Sequence, residues 1–315
     1  MSGGNGYSAI LTFTHPPRRV VSLVPSMTES LFDLGAGEAI VGVTDYCRPP
    51  EEALARMMRV GGTKSPRVPE ILALKPDLVV ANQEENTRET VEALEAGGAK
   101  VWVTFPRSVD DAIAILWVLI RLFDIPAAGS KVRTLEVTLD WQMRSAHASQ
   151  PVSVFCPIWQ SVTGKGVLWW MTFNRETYAH DVLLRCGGMN VFAHRARRYP
   201  LEADLGEGEA EEAGSRDTRY PRLTPEEVIE ARPEVILVPD EPFAFSDDDE
   251  LRLRSLLAET PAVQSNRVHR IDGSLLTWHG TRLARALAEI PNCLHAPAKA
   301  GWEGPFEADS PGENP

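Results

Sequence analysis

The chain has 315 residues, length for one large domain or two ordinary ones, with an apolar fraction that suits a globular protein. Its formal net charge of -12 argues against a nucleic-acid partner, which needs a basic footprint, and equally against docking on an anionic membrane surface. The four cysteines, Cys47, Cys156, Cys186 and Cys293, show no CxxC pair and no zinc spacing, and read as small buried thiols.

In chain order, Met1 to Pro17 lacks a basic start, an apolar core and a small-residue cleavage site, so a cytoplasmic location is expected. A periplasmic or cell-surface location would follow only if a leader were missing. Arg19 to Val24 is a β-branched apolar run and predicts a buried strand. Ser26 and Thr28 are placed to cap the next helix, whose apolar face is Leu31, Phe32 and Leu34. Ala39 to Val43 predicts a strand, Val68 to Leu74 a helix, and Leu78 to Ala81 another strand. Asn86 to Ala96 is amphipathic and helical, Lys100 to Phe105 a strand, and Ser108 caps a helix that runs to Phe123. Its apolar stretch, Ala112 to Phe123, is too short to span a membrane, so no membrane insertion is expected.

From Pro126 to Gln150 the pattern changes to one long helix. Val132, Leu135, Leu139, Met143 and Ala146 recur at helical spacing, Pro126 suits its start and Pro151 stops it. Beyond it the alternation resumes. Strands are expected at Val152 to Phe155, Glu234 to Val238 and Arg267 to Ile271, and helices at Thr177 to Cys186, Thr224 to Ala231, Asp247 to Glu259 and Thr281 to His295. Gly166 to Phe173 is either a strand or the wall of a pocket. Glu202 to Arg219 is acidic and Gly-rich and predicts a solvated insertion, and Ala296 to Pro315 reads as a tail.

Alternating strands and helices imply parallel sheets with right-handed crossovers. The expected fold class is therefore α/β, with two Rossmann-like lobes joined by one long backbone helix. The expected organisation is an N-terminal extension at 1–18, an N-terminal lobe at 19–125 and the linking helix at 126–150. A C-terminal lobe at 151–295 follows, carrying the acidic insertion at 202–219, and then a disordered tail at 296–315.

Three stretches carry a resemblance. RVVSLVPSMTESLFDLGAG at Arg19 to Gly37, PEILALKPDLVVA at Pro69 to Ala81, and CGGMNVF at Cys186 to Phe192 followed by YPRLTPEEVIEARPEVILV at Tyr220 to Val238 resemble the helical-backbone substrate-binding proteins of ABC importers. The cobalamin-binding branch is the nearest within that class. The segments EEN, PIW, TYAHD, DEPF and LTWHG are similar to a signal-less cytosolic subgroup. The resemblance implies a non-enzymatic protein that holds cobalamin or a related metallated macrocycle, such as haem or a ferric siderophore, in a cleft between lobes, with no cofactor of its own. It also implies an ABC permease as partner, met through one surface glutamate on each lobe. The second-lobe glutamate matches Glu226; at the first-lobe position this chain has Pro69, with Glu70 beside it.

Candidate ligand contacts gather where strands run into helices. The loop Ser26-Met27-Thr28 opens the first helix, where amide donors favour an anion or a polar group. Tyr46 follows the second strand, in a loop the resemblance sets beside the ligand. Glu84, Glu85 and Asn86 follow the strand ending at Ala81; adjacent acids at a strand end call for solvent, a cation or a helix start. Phe105 and Arg107 follow the next strand. Trp159, Trp169 and Trp170 would make a broad apolar wall for a flat macrocycle. Asp240, Glu241 and Phe243 follow another strand, and Trp278 and His279 the last one. His180 and Asp181 are helix neighbours that point apart and do not chelate together, so no metal site is expected. With no GxSxG, phosphate loop or HExxH, no catalytic residue is assigned. The alternative is a cytosolic enzyme or metabolite-handling protein reusing the same fold.

Overall fold

The computed structural model describes residues 13–148 and 150–295, the side chains of 145–148 excepted. The first twelve residues of the expected N-terminal extension and the tail at 296–315 lie outside the described residues. The chain divides into two compact units, residues 1–145 with 274–288, and residues 146–273 with 289–315.

In the first unit, β1 (Val20–Ser22), β2 (Ile40–Val43), β3 (Met58–Arg59), β4 (Leu78–Asn82) and β5 (Val101–Thr104) form a parallel sheet in the order β3-β2-β1-β4-β5. β1 and β4 are buried on both faces, as continuous apolar runs require between helical layers. Val21, Leu23, Val79, Ala81 and Ile71 form part of its core. Parallel pairing brings all carboxyl ends to one edge, and the reversal of strand order between β1 and β4 marks the place on that edge where α/β folds take ligands.

The helix Pro25–Leu34 has Val24 as N-cap and no side-chain cap. Ser26 and Thr28, expected as caps, sit inside the first turn; Pro25 at its start has no N–H to satisfy, which removes part of the need for a cap. The Thr28 hydroxyl donates instead to Ser22 Oγ (2.9 Å) and the Val24 carbonyl (3.1 Å).

The long helix is Gly129–Ala148, 20 residues, preceded by a 3₁₀ turn at Pro126–Ala128. Val132, Leu135 and Leu139 are buried as their spacing predicts, and the helix up to residue 145 belongs to the first unit. The Trp117 indole donates to Glu136 at 2.8 Å and fixes one side of it.

In the second unit, β6 (Val152–Phe155), β9 (Gly188–Asn190), β11 (Val235–Pro239) and β12 (Val268–Ile271) form a parallel sheet ordered β12-β11-β6-β9. A second sheet is antiparallel: β7 (Trp159–Val162), β8 (Leu168–Met171) and β10 (Arg222–Leu223), ordered β10-β8-β7. Uniform alternation of strand and helix did not foresee it. β7 is mostly exposed and carries no apolar run, so its sequence resembles a loop. Trp170 meets Phe155 edge to face at 6.1 Å, and Phe155 meets Phe192 at 5.6 Å, in the core beneath both sheets.

The segment 202–219, expected to be solvated and unfolded, is ordered. Asp204, fully buried, accepts from Arg195 Nη1, the Arg198 amide and the Arg222 amide, each at 2.9 Å. Arg195 also reaches Glu227 at 3.0 Å. Composition cannot show that one acid of the run is the hub of a buried network.

Candidate functional site

The carboxyl edge of the first sheet is tied together by Asn86. Its Oδ1 accepts from the Asn82 amide (2.8 Å) and its Nδ2 donates to the Thr63 carbonyl (2.9 Å). Asn82 in turn accepts from the Glu84 amide at 2.8 Å and donates to Thr104 Oγ1 at 3.3 Å. The helix that Asn86 was expected to open is Arg88–Ala96, capped by Thr87. Asn86 is thus a buried brace among three loops. Glu84 is exposed, Glu85 and Phe105 are half-buried, and Arg107 is exposed. Tyr46 stands out at 64% exposure, whereas Ser26, Met27 and Thr28 are buried.

Trp278 and His279 belong to the first unit, not to the second lobe where their position in the chain suggested. The Ser26 hydroxyl lies 3.3 Å from His279 Nδ1. Ser30 Oγ accepts from the Thr281 amide at 3.1 Å, Thr281 Oγ1 donates to Asp33 Oδ2 at 2.6 Å, and Arg282 pairs with Glu29 at 2.8 Å. Ser26, Glu29, Ser30 and Asp33 follow i, i+3, i+4, i+7 spacing and form one stripe of the helix Pro25–Leu34. Gly280, at φ +96, makes the turn, and a Cβ there would collide with Ser30 Oγ. Burial pushes the Glu29 carboxyl up, with the Arg282 guanidinium opposing. Burial pushes His279 down to about 4, so its imidazole is neutral near pH 7. Arg282 also lies 5.0 Å from the Trp278 ring centre, holding this half-buried indole beside the strand-end loops.

In the second unit, Trp159 follows β6 at its carboxyl end, 41% exposed, with Phe243 at 5.3 Å and Phe245 a further 4.8 Å on. Asp240 is exposed and accepts from the Gly273 amide at 2.8 Å; Glu241 is half-buried. A Cβ on Gly273 would lie 2.5 Å from the Glu241 carbonyl, so only glycine allows the β11 and β12 loops to close on each other.

The expected wall of three tryptophans is divided. Successive residues of a strand face opposite sides, so Trp169 and Trp170 cannot share a surface. Trp170 is fully buried in the core and Trp169 is 8% exposed on the other face, leaving Trp159 as the open ring. Glu226 is exposed in the first turn of the helix Pro225–Ala231, and Glu70 is paired with Arg67 at 2.7 Å. Sequence reasoning missed Arg197 and Arg222, which lie beside the aromatic residues of this unit. Among the described residues no group of three or more His, Cys, Asp or Glu is arranged to hold a metal ion. Nor is any described helix long and apolar enough to cross a membrane.

Two parallel sheets, each offering aromatic and polar loops at its carboxyl edge, with one long helix between them in chain order, define an α/β ligand-binding fold. The periplasmic binding protein family model matches residues 20–113. The vitamin B12-binding protein of Vibrio parahaemolyticus is 25% identical over 290 residues, covering 92% of this chain and 93% of the relative. The crystal structure of the periplasmic vitamin B12 binding protein BtuF of Vibrio cholerae superposes with a TM-score of 0.68 at 23% identity, over 89% of this chain and 97% of that one. The apo periplasmic heme-binding protein RhuT from Roseiflexus sp. RS-1 gives 0.68 at 25% identity, over 90% and 99%. The resemblance read from the sequence therefore holds: the chain has the fold of the helical-backbone substrate-binding proteins. The expectation of a cytoplasmic location finds no support in the two solved structures, both of periplasmic proteins.

Proposed function

We propose that this chain is a non-enzymatic binding protein for a flat metallated macrocycle, a corrinoid such as cobalamin in the first place and haem or a ferric siderophore in the second. The observation that carries the reading is the Trp159–Phe243 pair. A large ring left 41% exposed at the carboxyl end of β6, braced edge to face by a second ring, offers an apolar face where α/β folds take ligands. Tyr46 and Trp278 give the first unit comparable rings at its own carboxyl edge. The names of the relatives, for vitamin B12 and for heme, support the same ligand class. The metal arrives inside the ligand, so the chain needs no cofactor of its own.

Handing the ligand to an ABC permease is the partnership this reading favours, with Glu226 as the exposed docking carboxylate of the second unit. Glu70, held by Arg67, is the candidate in the first.

Titration of the purified protein with cyanocobalamin, hemin and a ferric siderophore, followed by tryptophan fluorescence and calorimetry, tests the reading. Saturable binding of one of them, weakened at least tenfold in Trp159→Ala, is expected. No saturable response to any of the three removes it. Fractionation of cells producing the natural gene product decides between a cytoplasmic and an exported site of action.

A further inference from the structure

The face of the small antiparallel sheet that carries Trp159 continues into cationic ground. Met171 stands opposite Trp159 on one side and Arg222 on the other, so Trp159, Met171 and Arg222 form a cross-strand row. Such neighbours lie about 5 Å apart and face the same way. Trp169, two residues before Met171, shares the face, and the Arg222 guanidinium sits 5.7 Å from its ring centre. Arg197 lies 4.2 Å from the Tyr199 ring centre and is close enough for its charge to act on Arg222.

Two features make this end of the face unusual in a chain of net charge -12. First, among the described residues neither Arg197 nor Arg222 takes part in an ion pair. The nearby acids are engaged elsewhere: Asp204 by Arg195 and two amides, Asp217 by Arg219 at 2.6 Å. Arg222 gives one nitrogen to the Tyr220 carbonyl at 3.2 Å. Second, the Trp169 indole N–H is buried with no acceptor among the described residues. Burial, and after it the Arg197 charge, push the Arg222 pKa down, with the charges of Asp204 and Asp217 opposing, as expected of a half-dehydrated cation beside a like charge. A buried donor without an acceptor, beside two cations that no carboxylate contacts directly, forms a receptor for an anion, which would relieve repulsion and desolvation together through charge-assisted hydrogen bonds.

We infer that Arg222 and Arg197, with the Trp169 indole N–H, recognise an anionic group on the periphery of the ligand whose flat face lies on Trp159. The ligand class is thereby narrowed to macrocycles bearing a carboxylate or a phosphodiester. This inference rests on the macrocycle reading above.

The experiment compares each macrocycle with an analogue that lacks its peripheral anion: hemin with hemin dimethyl ester, and cyanocobalamin with dicyanocobinamide, which has no phosphodiester. Calorimetry is run on the parent chain, Arg222→Gln and Arg197→Gln. The Arg222 side chain makes no hydrogen bond to Asp204, which takes the Arg222 amide, and Arg197 is a second probe should Arg222→Gln fold poorly. In the parent, the anionic member of the binding pair should bind at least tenfold tighter than its analogue. That preference should fall to less than threefold in Arg222→Gln and shrink in Arg197→Gln, with the analogue's affinity unchanged. Equal binding of both members to the parent, or an equal loss of both in the variants, overturns the inference and leaves the macrocycle reading standing. Absence of binding by all four compounds overturns both.

Discussion

The imidazole of His279 is 4% exposed, and the Ser26 hydroxyl lies 3.3 Å from its Nδ1. Burial pushes its pKa down to about 4 in the folded chain, against roughly 6.5 when unfolded. Between those values the unfolded chain binds the additional proton, so this residue's contribution is fully present above about pH 6.5 and is lost as pH falls towards 4. The whole effect is on the order of 3 kcal/mol. His279→Asn should flatten the acid limb of a plot of melting temperature against pH; an acid limb identical to the parent's would show that the sensitivity lies elsewhere. Trp170 and Trp159 make a second contrast at this scale. Trp170→Ala removes a fully buried ring packed on Phe155 and should cost about 3–5 kcal/mol in denaturant unfolding. Trp159→Ala, at an exposed site, should cost about 1 kcal/mol or less while weakening macrocycle binding. Comparable destabilisation by both would mean that Trp159 is a packing residue.

At the scale of elements, the segment 195–222 depends on one buried carboxylate. Asp204 joins the short helix Leu201–Asp204 to the start of β10 and to Arg195. Removing one partner of a buried ion pair leaves the other charge uncompensated, at a cost of about 3–5 kcal/mol. Asp204→Ala should therefore expose 205–219 to limited proteolysis before the rest of the second unit is cleaved; unchanged cleavage kinetics would count against the clamp. Nothing in the composition of that acidic, Gly-rich stretch distinguishes Asp204 from its neighbours, which is why it reads as unfolded. The parallel strands were legible because β1, β4 and β11 are apolar on both faces, a pattern few loops share. β7 was not, since an exposed strand of an antiparallel pair is set by its partner β8 rather than by its own residues. The placement of 274–288 had half a signal: the stripe Ser26, Glu29, Ser30, Asp33 marks a polar face on an otherwise apolar helix. Its partner lies about 250 residues away in the chain, and no local pattern points that far.

For the whole molecule, the order of strands and helices was readable because each βα unit must bury its own apolar run, and the candidate loops followed from the carboxyl-edge rule. The division of the tryptophans and the cationic end of the face shared by β7, β8 and β10 were not readable, because they depend on which residues stand opposite each other across strands. Binding confined to the folded state must raise its stability by RT ln(1 + [L]/Kd), about 2.7 kcal/mol at a hundredfold excess over Kd. With roughly 2–4 °C per kcal/mol for a domain-sized unfolding unit, the correct macrocycle should raise the melting temperature by about 5–10 °C. The shift should persist in Trp170→Phe, which keeps a ring in the core, and should largely vanish in Trp159→Ala, which takes away the open ring. A macrocycle that raises the melting temperature equally in Trp159→Ala is bound somewhere other than the face of β7 and β8. A chain whose melting temperature moves with none of the three macrocycles uses this fold for another ligand class.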